Sequence, residues 1–290
     1  MIYLILSILC STAIVLLFKT LGIGKIQVFP TICLNYIVCV ICAWITEGQM
    51  PINQATVQEP WFPFALFLGV IFITGFNITA MTVQIFSVTV AAVMQKMSLV
   101  LTVLYTIIFY QEAVNFLKIT GILLALFAII LINWPNKQIQ NSSKAKKWYW
   151  YLFPAYTLLS SALIEIIFFR VEKMTGNGAD LGFIALIFGI AGLIGNVVLI
   201  IGLIRGKIRF GWKEITAGTS LGVINFGSIY YLLKVIGMGW EGSVVFPINN
   251  VSIITLSTII AILFFKEKLL KINGIGLVFA LVAIAFIALS

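Results

Sequence analysis

Lys96 lies in the middle of the apolar run Val88 to Tyr110. A lysine at the centre of a membrane-spanning helix costs roughly 2.5 to 3.5 kcal/mol, so its ammonium is expected to face a wet cavity or a partner, where it can hold an anionic group. Gln95, Ser98 and Thr102 accompany it. Glu165 is the other ionisable residue deep in an apolar run, five residues before Arg170. It reads either as a carrier of a coupling proton or as one half of an interfacial ion pair with Arg170 or Lys173. Little else suits catalysis. The chain has no histidine, which removes the commonest metal ligand and general base. HExxH, P-loop, GxGxxG-after-strand and paired CxxC patterns are missing too. Cys10, Cys33, Cys39 and Cys42 fall in the first two apolar segments, where thiols behave as small hydrophobes rather than as a disulfide or metal framework. No catalytic residue, metal site or cofactor is expected.

The elements that must position these groups are membrane helices. Hydrophobic residues make up 62% of the 290 and charged ones 9%, and the mean hydropathy is +1.15. No soluble domain of that size hides so much apolar surface. The net charge of +9 sits in short loops between apolar runs, which suits topology determinants and anionic headgroups and not nucleic acid. With about 20 residues per crossing, the spans fall at Ile2 to Phe18, then 28–46, 62–84, 88–110, 114–134, 149–169, 181–204, 212–235, 243–265 and 269–289. The first run has no basic segment before it and no A-x-A cleavage site, and reads as a retained helix. The expected class is an all-α integral membrane protein of about ten transmembrane helices.

A shift of 155 residues lays Phe109, Glu112, Gly121, Ala125 and Ala128 on Phe264, Glu267, Gly276, Ala280 and Ala283. The expected organisation is therefore two five-helix repeats, 1–135 and 149–290, joined by a basic linker over 136–148. An odd number of crossings per repeat turns the second copy upside down relative to the first. Basic residues fall mainly on one side: Lys19 and Lys25; Lys137, Lys144, Lys146 and Lys147; Arg205, Lys207, Arg209 and Lys213; Lys266, Lys268 and Lys271. The other side carries Lys118, Arg170, Lys173 and Lys234, with Glu47 and Glu59 in one loop. The positive-inside rule puts the first set and the linker in the cytoplasm and both termini outside. Trp148 to Tyr151 follow the linker as interfacial anchors. Glu112 and Glu267 read as charges at the N-terminus of the last helix of each repeat.

Ten short helices in two copies, each with an acidic junction and a glycine-bearing last helix (Phe109-Tyr110-Gln111-Glu112 to Gly121; Phe264-Phe265-Lys266-Glu267 to Gly276), resemble the drug/metabolite transporter superfamily, and its EamA-type branch in particular. The resemblance implies a multi-pass carrier of small metabolites in the cytoplasmic (inner) membrane, working by alternating access, with a central cavity lined by the first, third and fourth helices of each half. A homodimer is one possible assembly. Mapped onto those helices, the candidate solute-binding residues are Gln95 and Lys96 on the fourth, Asn249 and Asn250 on the ninth, Asn77 on the third, and Asn225 and Tyr231 on the eighth. Gln95 and Asn250 correspond under the shift, whereas Lys96 falls opposite Val251, so positive charge is on one half only. That asymmetry suits a solute with a carboxylate, an amino acid among them. Lys96 can equally snorkel or cap free carbonyls at a helix break. The small multidrug-resistance relatives use a glutamate in the first helix, and Met1 to Phe18 has none. A lipid-linked flippase stays open as a second function, and a polytopic membrane enzyme as a distant third.

Overall fold

The computed structural model describes every residue except Lys25, Ser87, 135–147, Asn177, Lys207, Arg209 and 266–269. All of the expected linker but Trp148 is therefore outside the described residues, as are Glu267 and the basic residues beside it.

Among the described residues there are ten α-helices: α1 (Ile2–Ile23), α2 (Val28–Glu47), α3 (Phe62–Ile85), α4 (Val88–Tyr110), α5 (Phe116–Ile132), α6 (Leu152–Thr175), α7 (Leu181–Ile204), α8 (Trp212–Gly237), α9 (Gly242–Phe265) and α10 (Lys271–Ala288). Nine are long and apolar enough to cross a membrane, and the tenth, α5, is a shorter apolar helix. The protein is a multi-pass membrane protein. Ile108, Phe109, Leu263 and Phe264 stand exposed near helix ends, a surface that hydrocarbon and not water accommodates.

Two helix ends depart from expectation for readable reasons. α5 is cut to 17 residues because Asn115 caps it, accepting from the Lys118 N–H at 2.8 Å, and Asn133 closes the other end. α6 runs on to Thr175, past the expected end at 169. Arg170 and Lys173 do not break it: the Arg170 guanidinium sits 5.0 Å from the centre of the Phe64 ring and the Lys173 ammonium 5.1 Å from that of Phe169, so both charges are carried along apolar surface.

The described residues pack as two units, each drawing on two separate stretches of the sequence. Unit 1 comprises Met1–Ile73 and Ile167–Gly239, and unit 2 comprises Thr74–Ile166 and Trp240–Ser290. In unit 1, α2 packs on α7 and α8, and α1 on α8. In unit 2, α5 packs on α10 and α4 on α9. The α5 to α10 contact is close enough to exclude side chains. A Cβ on Gly121 would lie 2.6 Å from the Ile287 side chain, and one on Gly276 would lie 2.7 Å from the Ile132 backbone nitrogen. Leu131 and Phe286 complete the two contacts. The 155-residue shift that carries Gly121 to Gly276 also carries Leu131 and Ile132 to Phe286 and Ile287, so each contact is the image of the other.

Candidate functional site

On α4, Ser98, Thr102 and Thr106 recur every four residues and are buried. Ser98 and Thr106 donate back to the carbonyls of Gln95 (2.7 Å) and Val103 (3.1 Å), so these hydroxyls are satisfied without leaving the helix. Lys96 projects about 100° round the helix from Gln95 and reaches α9, where its Nζ donates to Asn250 Oδ1 at 2.8 Å. The other end of that amide, Nδ2, donates to Glu165 Oε1 of α6 at 2.8 Å. Thr102 Oγ1 lies 2.8 Å from Glu165 Oε2 and 3.2 Å from the Ser98 carbonyl. It has a single proton, and the carboxylate is the nearer and stronger acceptor.

Three helices of unit 2 thus meet in a chain running ammonium, amide, carboxylate, hydroxyl. Asn250 is 3% exposed, while Lys96 and Glu165 are half-buried. The amide orientation follows from its neighbours, because only the carbonyl can face an ammonium and only the NH2 can face a carboxylate. Glu165 is engaged by Asn250 and Thr102, not by Arg170 or Lys173, whose charges lie over Phe64 and Phe169.

The remaining candidates lie elsewhere. Gln95 is exposed, and Asn77 of α3 is half-buried in unit 2. Asn249 is buried on a different face of α9 from Asn250, and its Oδ1 finds no partner among the described residues. Asn225 and Tyr231 belong to unit 1. Asn225 Nδ2 donates to Asn35 Oδ1 at 3.2 Å, and Tyr231 stacks on Tyr3 with ring centres 6.2 Å apart.

Two charged residues read as loop features in the sequence have structural employment in unit 2. Glu112 does not charge the start of α5, which Asn115 already caps. It accepts instead from the N–H groups of Gly242 (2.6 Å) and Ser243 (2.8 Å), at the N-terminus of α9. Lys118 is 2% exposed, paired with Glu241 and bonded to the Ala113 carbonyl. In unit 1, Glu172 was hidden from sequence reasoning by the basic residues around it. It is 1% exposed, and its Oε1 accepts from the Ala179 N–H at 3.0 Å. It thereby steadies a turn in which Gly176, Gly178 and Ala179 all take positive φ. Unit 1 also holds a cavity of about 410 Å³ beside that turn, walled by Glu47, Glu59, Trp61, Asp180 and Lys234 among others.

Residues 1–134 match the EamA-like transporter family. The chain is also 26% identical to an uncharacterized protein of Haemophilus influenzae (strain ATCC 51907 / DSM 11121 / KW20 / Rd) over 293 residues, which is 97% of this chain and 95% of the relative. A solved structure described as a crystal structure of a protein superposes on it with a TM-score of 0.76 at 12% identity, covering 99% of this chain and 96% of that one. At that identity the likeness speaks for the fold. Of the chain of polar groups in unit 2, the EamA-like match spans Lys96 and Thr102, while Glu165 and Asn250 come from the part of the chain beyond it.

Proposed function

We propose that this protein is a secondary transporter that moves a small carboxylate-bearing metabolite across the cytoplasmic membrane by alternating access, with Lys96 as the anchor for the carboxylate. The EamA-like match supports a transporter. The observation that carries the choice of solute is the Lys96 ammonium in mid-span, hydrogen-bonded to a neutral amide and not ion-paired to its nearest acid. A charge left one amide away from its counter-ion keeps capacity for an incoming anion. Glu165 and Asn250 complete the site in unit 2.

The test is uptake of labelled amino and organic acids into proteoliposomes. Lys96→Gln should insert and purify normally and lose most of the flux. Wild-type flux from that variant removes the assignment.

One feature favours a second reading, a lipid-linked flippase. An apolar groove of about 340 Å³ in unit 1 is lined by Ile37, Ile41, Phe188 and Leu193, among others, the kind of greasy opening an acyl chain enters. The same proteoliposomes decide between them: bleaching of a fluorescent long-chain phospholipid in the inner leaflet reports flipping, and a carrier leaves that leaflet protected.

A further inference from the structure

We infer that the start of α9 is a latch worked by an exchange of partners, and that its opening admits the solute to Lys96. In the structure Glu112 holds the first N–H groups of α9 while Glu241 holds Lys118. On opening, Glu241 turns back to its own helix and Lys118 passes to Glu112. The admission step rests on the carrier reading; the exchange does not.

The cap of α9 comes from a distant part of the chain. The carbonyl of Glu241 opens the helix, accepting from the N–H groups of Val244 (3.1 Å) and Val245 (3.0 Å). Glu241 is therefore the residue whose side chain ordinarily reaches the first free N–H groups. That side chain pairs with Lys118 instead, and Gly242 and Ser243 donate to Glu112, 130 positions before Gly242. Two carboxylates thus share two positive partners, the α9 N-terminus and the Lys118 ammonium, and either carboxylate suits either partner. Lys118 Nζ already donates at 2.6 Å to the carbonyl of Ala113, the residue next to Glu112. An exchange leaves every one of these groups paired, which makes two discrete arrangements in place of one rigid cap.

The surroundings suit such a movement. Gln111 holds φ 51°, a left-handed conformation that costs a residue with a side chain free energy and can relax once Glu112 lets go. Gly239 takes φ 87° just before α9, and Pro247 inside it leaves the Ser243 carbonyl without its helix donor. The first turn of α9 lies between those two points. Ser243 is fully buried, and its Oγ has no partner among the described residues; opening gives that hydroxyl water. Asn250, which holds Lys96, follows Gly242 by about two turns.

Alkylation by a water-soluble maleimide reads the latch without any solute. Ser243→Cys places a thiol under it, and Thr157→Cys, buried near the start of α6 in the same unit, is the control; rates are taken above that of the parent protein. Glu112→Gln and Lys118→Met should each speed labelling of Ser243→Cys about tenfold and leave Thr157→Cys unchanged, the second because it frees Glu241 to displace Glu112. Adding Glu241→Ala to Lys118→Met removes that competitor and should slow labelling again. Unchanged rates, equal acceleration at Thr157→Cys, or a Lys118→Met/Glu241→Ala protein as open as Lys118→Met alone overturns the exchange. For the admission step, Lys118→Cys and Glu241→Cys are joined by a short reducible cross-linker in proteoliposomes. Flux should stop on linking and return on reduction, and undiminished flux through the linked protein overturns it. A wild type with no flux of any solute strikes the carrier reading, and labelling alone then decides the latch.

Discussion

At the scale of single residues, the amide side chain recurs as the device that lets this chain bury polarity. Asn250 joins two opposite charges, and Asn273 closes a helix. Asn273 is 6% exposed, and its Nδ2 lies within hydrogen-bond distance of the carbonyls of Leu131, Ile132 (both 2.9 Å) and Trp134 (3.2 Å), the end of α5. Its Oδ1 accepts from the Leu270 N–H, at the start of α10. One side chain thus satisfies orphan groups at the C-terminus of one helix and the N-terminus of another. Asn273→Ala should lower stability by about 1 to 3 kcal/mol, the cost of leaving such groups buried and unpaired. Asn273→Asp should be worse, since it sets a carboxylate against carbonyl oxygens. Thermal unfolding in detergent measures both, and a wild-type Tm for Asn273→Ala would show that lipid or water supplies the missing partners. Individual residues of this kind were legible in the sequence only as polar letters on apolar helices. Lys96, Asn250 and Glu165 each stood out alone, but they are 154 and 85 residues apart where they join, and no spacing rule within one helix connects them. Glu112 shows the same limit: its position four residues ahead of α5 suggested that helix, and the partner it takes is the start of α9.

At the scale of elements, far more was legible, because a bilayer enforces a repeat of about 20 apolar residues between polar breaks. The long apolar stretch from Trp61 to Tyr110 divides between α3 and α4, where a single span would have been far too long. Ends marked by charges were less legible, since Arg170 and Lys173 have stems long enough to stay within α6. Pro247 sits inside α9 without ending it. It only removes the bond its nitrogen would have given to the carbonyl one turn earlier. The glycines of α5 and α10 were visible as a matched pair, and the structure adds what they touch. Gly121→Val should press on Ile287, and Gly276→Val on the Leu131 to Ile132 backbone. Each should destabilise by about 1 to 3 kcal/mol, as overpacking does. A Cβ on Gly274 would meet nothing within 4 Å, so Gly274→Ala should be tolerated or mildly stabilising in the same helix. Comparable losses in all three variants would mean that the close contact does not set the effect, since helix propensity alone favours replacing glycine.

At the scale of the molecule, the same charges bear on orientation. Lys118 had to be counted against the positive-inside bias when only its position was known, but it is buried against Glu241 and so does not address the headgroups. Arg170, Lys173 and Lys234 each lie over an aromatic ring, that of Phe64, Phe169 and Tyr230 respectively. The expectation that both termini lie outside the cytoplasm rests on the one-sided charge of the loops in the sequence. The parity of the crossings depends on α5, whose 17 residues reach about 25 Å, short of a typical core of about 30 Å. Its partner α10 has 18 residues, and the two meet through contacts that exchange under the 155-residue shift, so the bilayer must adapt to both or to neither. Ten crossings put the termini on one side, whereas nine would put them on opposite sides. Alkaline phosphatase fused to the C-terminus should be active, and green fluorescent protein there dark, with an N-terminal epitope accessible in intact spheroplasts. A bright C-terminal fluorescent fusion together with an accessible N-terminal epitope would mean that α5 does not cross, and the two-copy description of the chain would go with it.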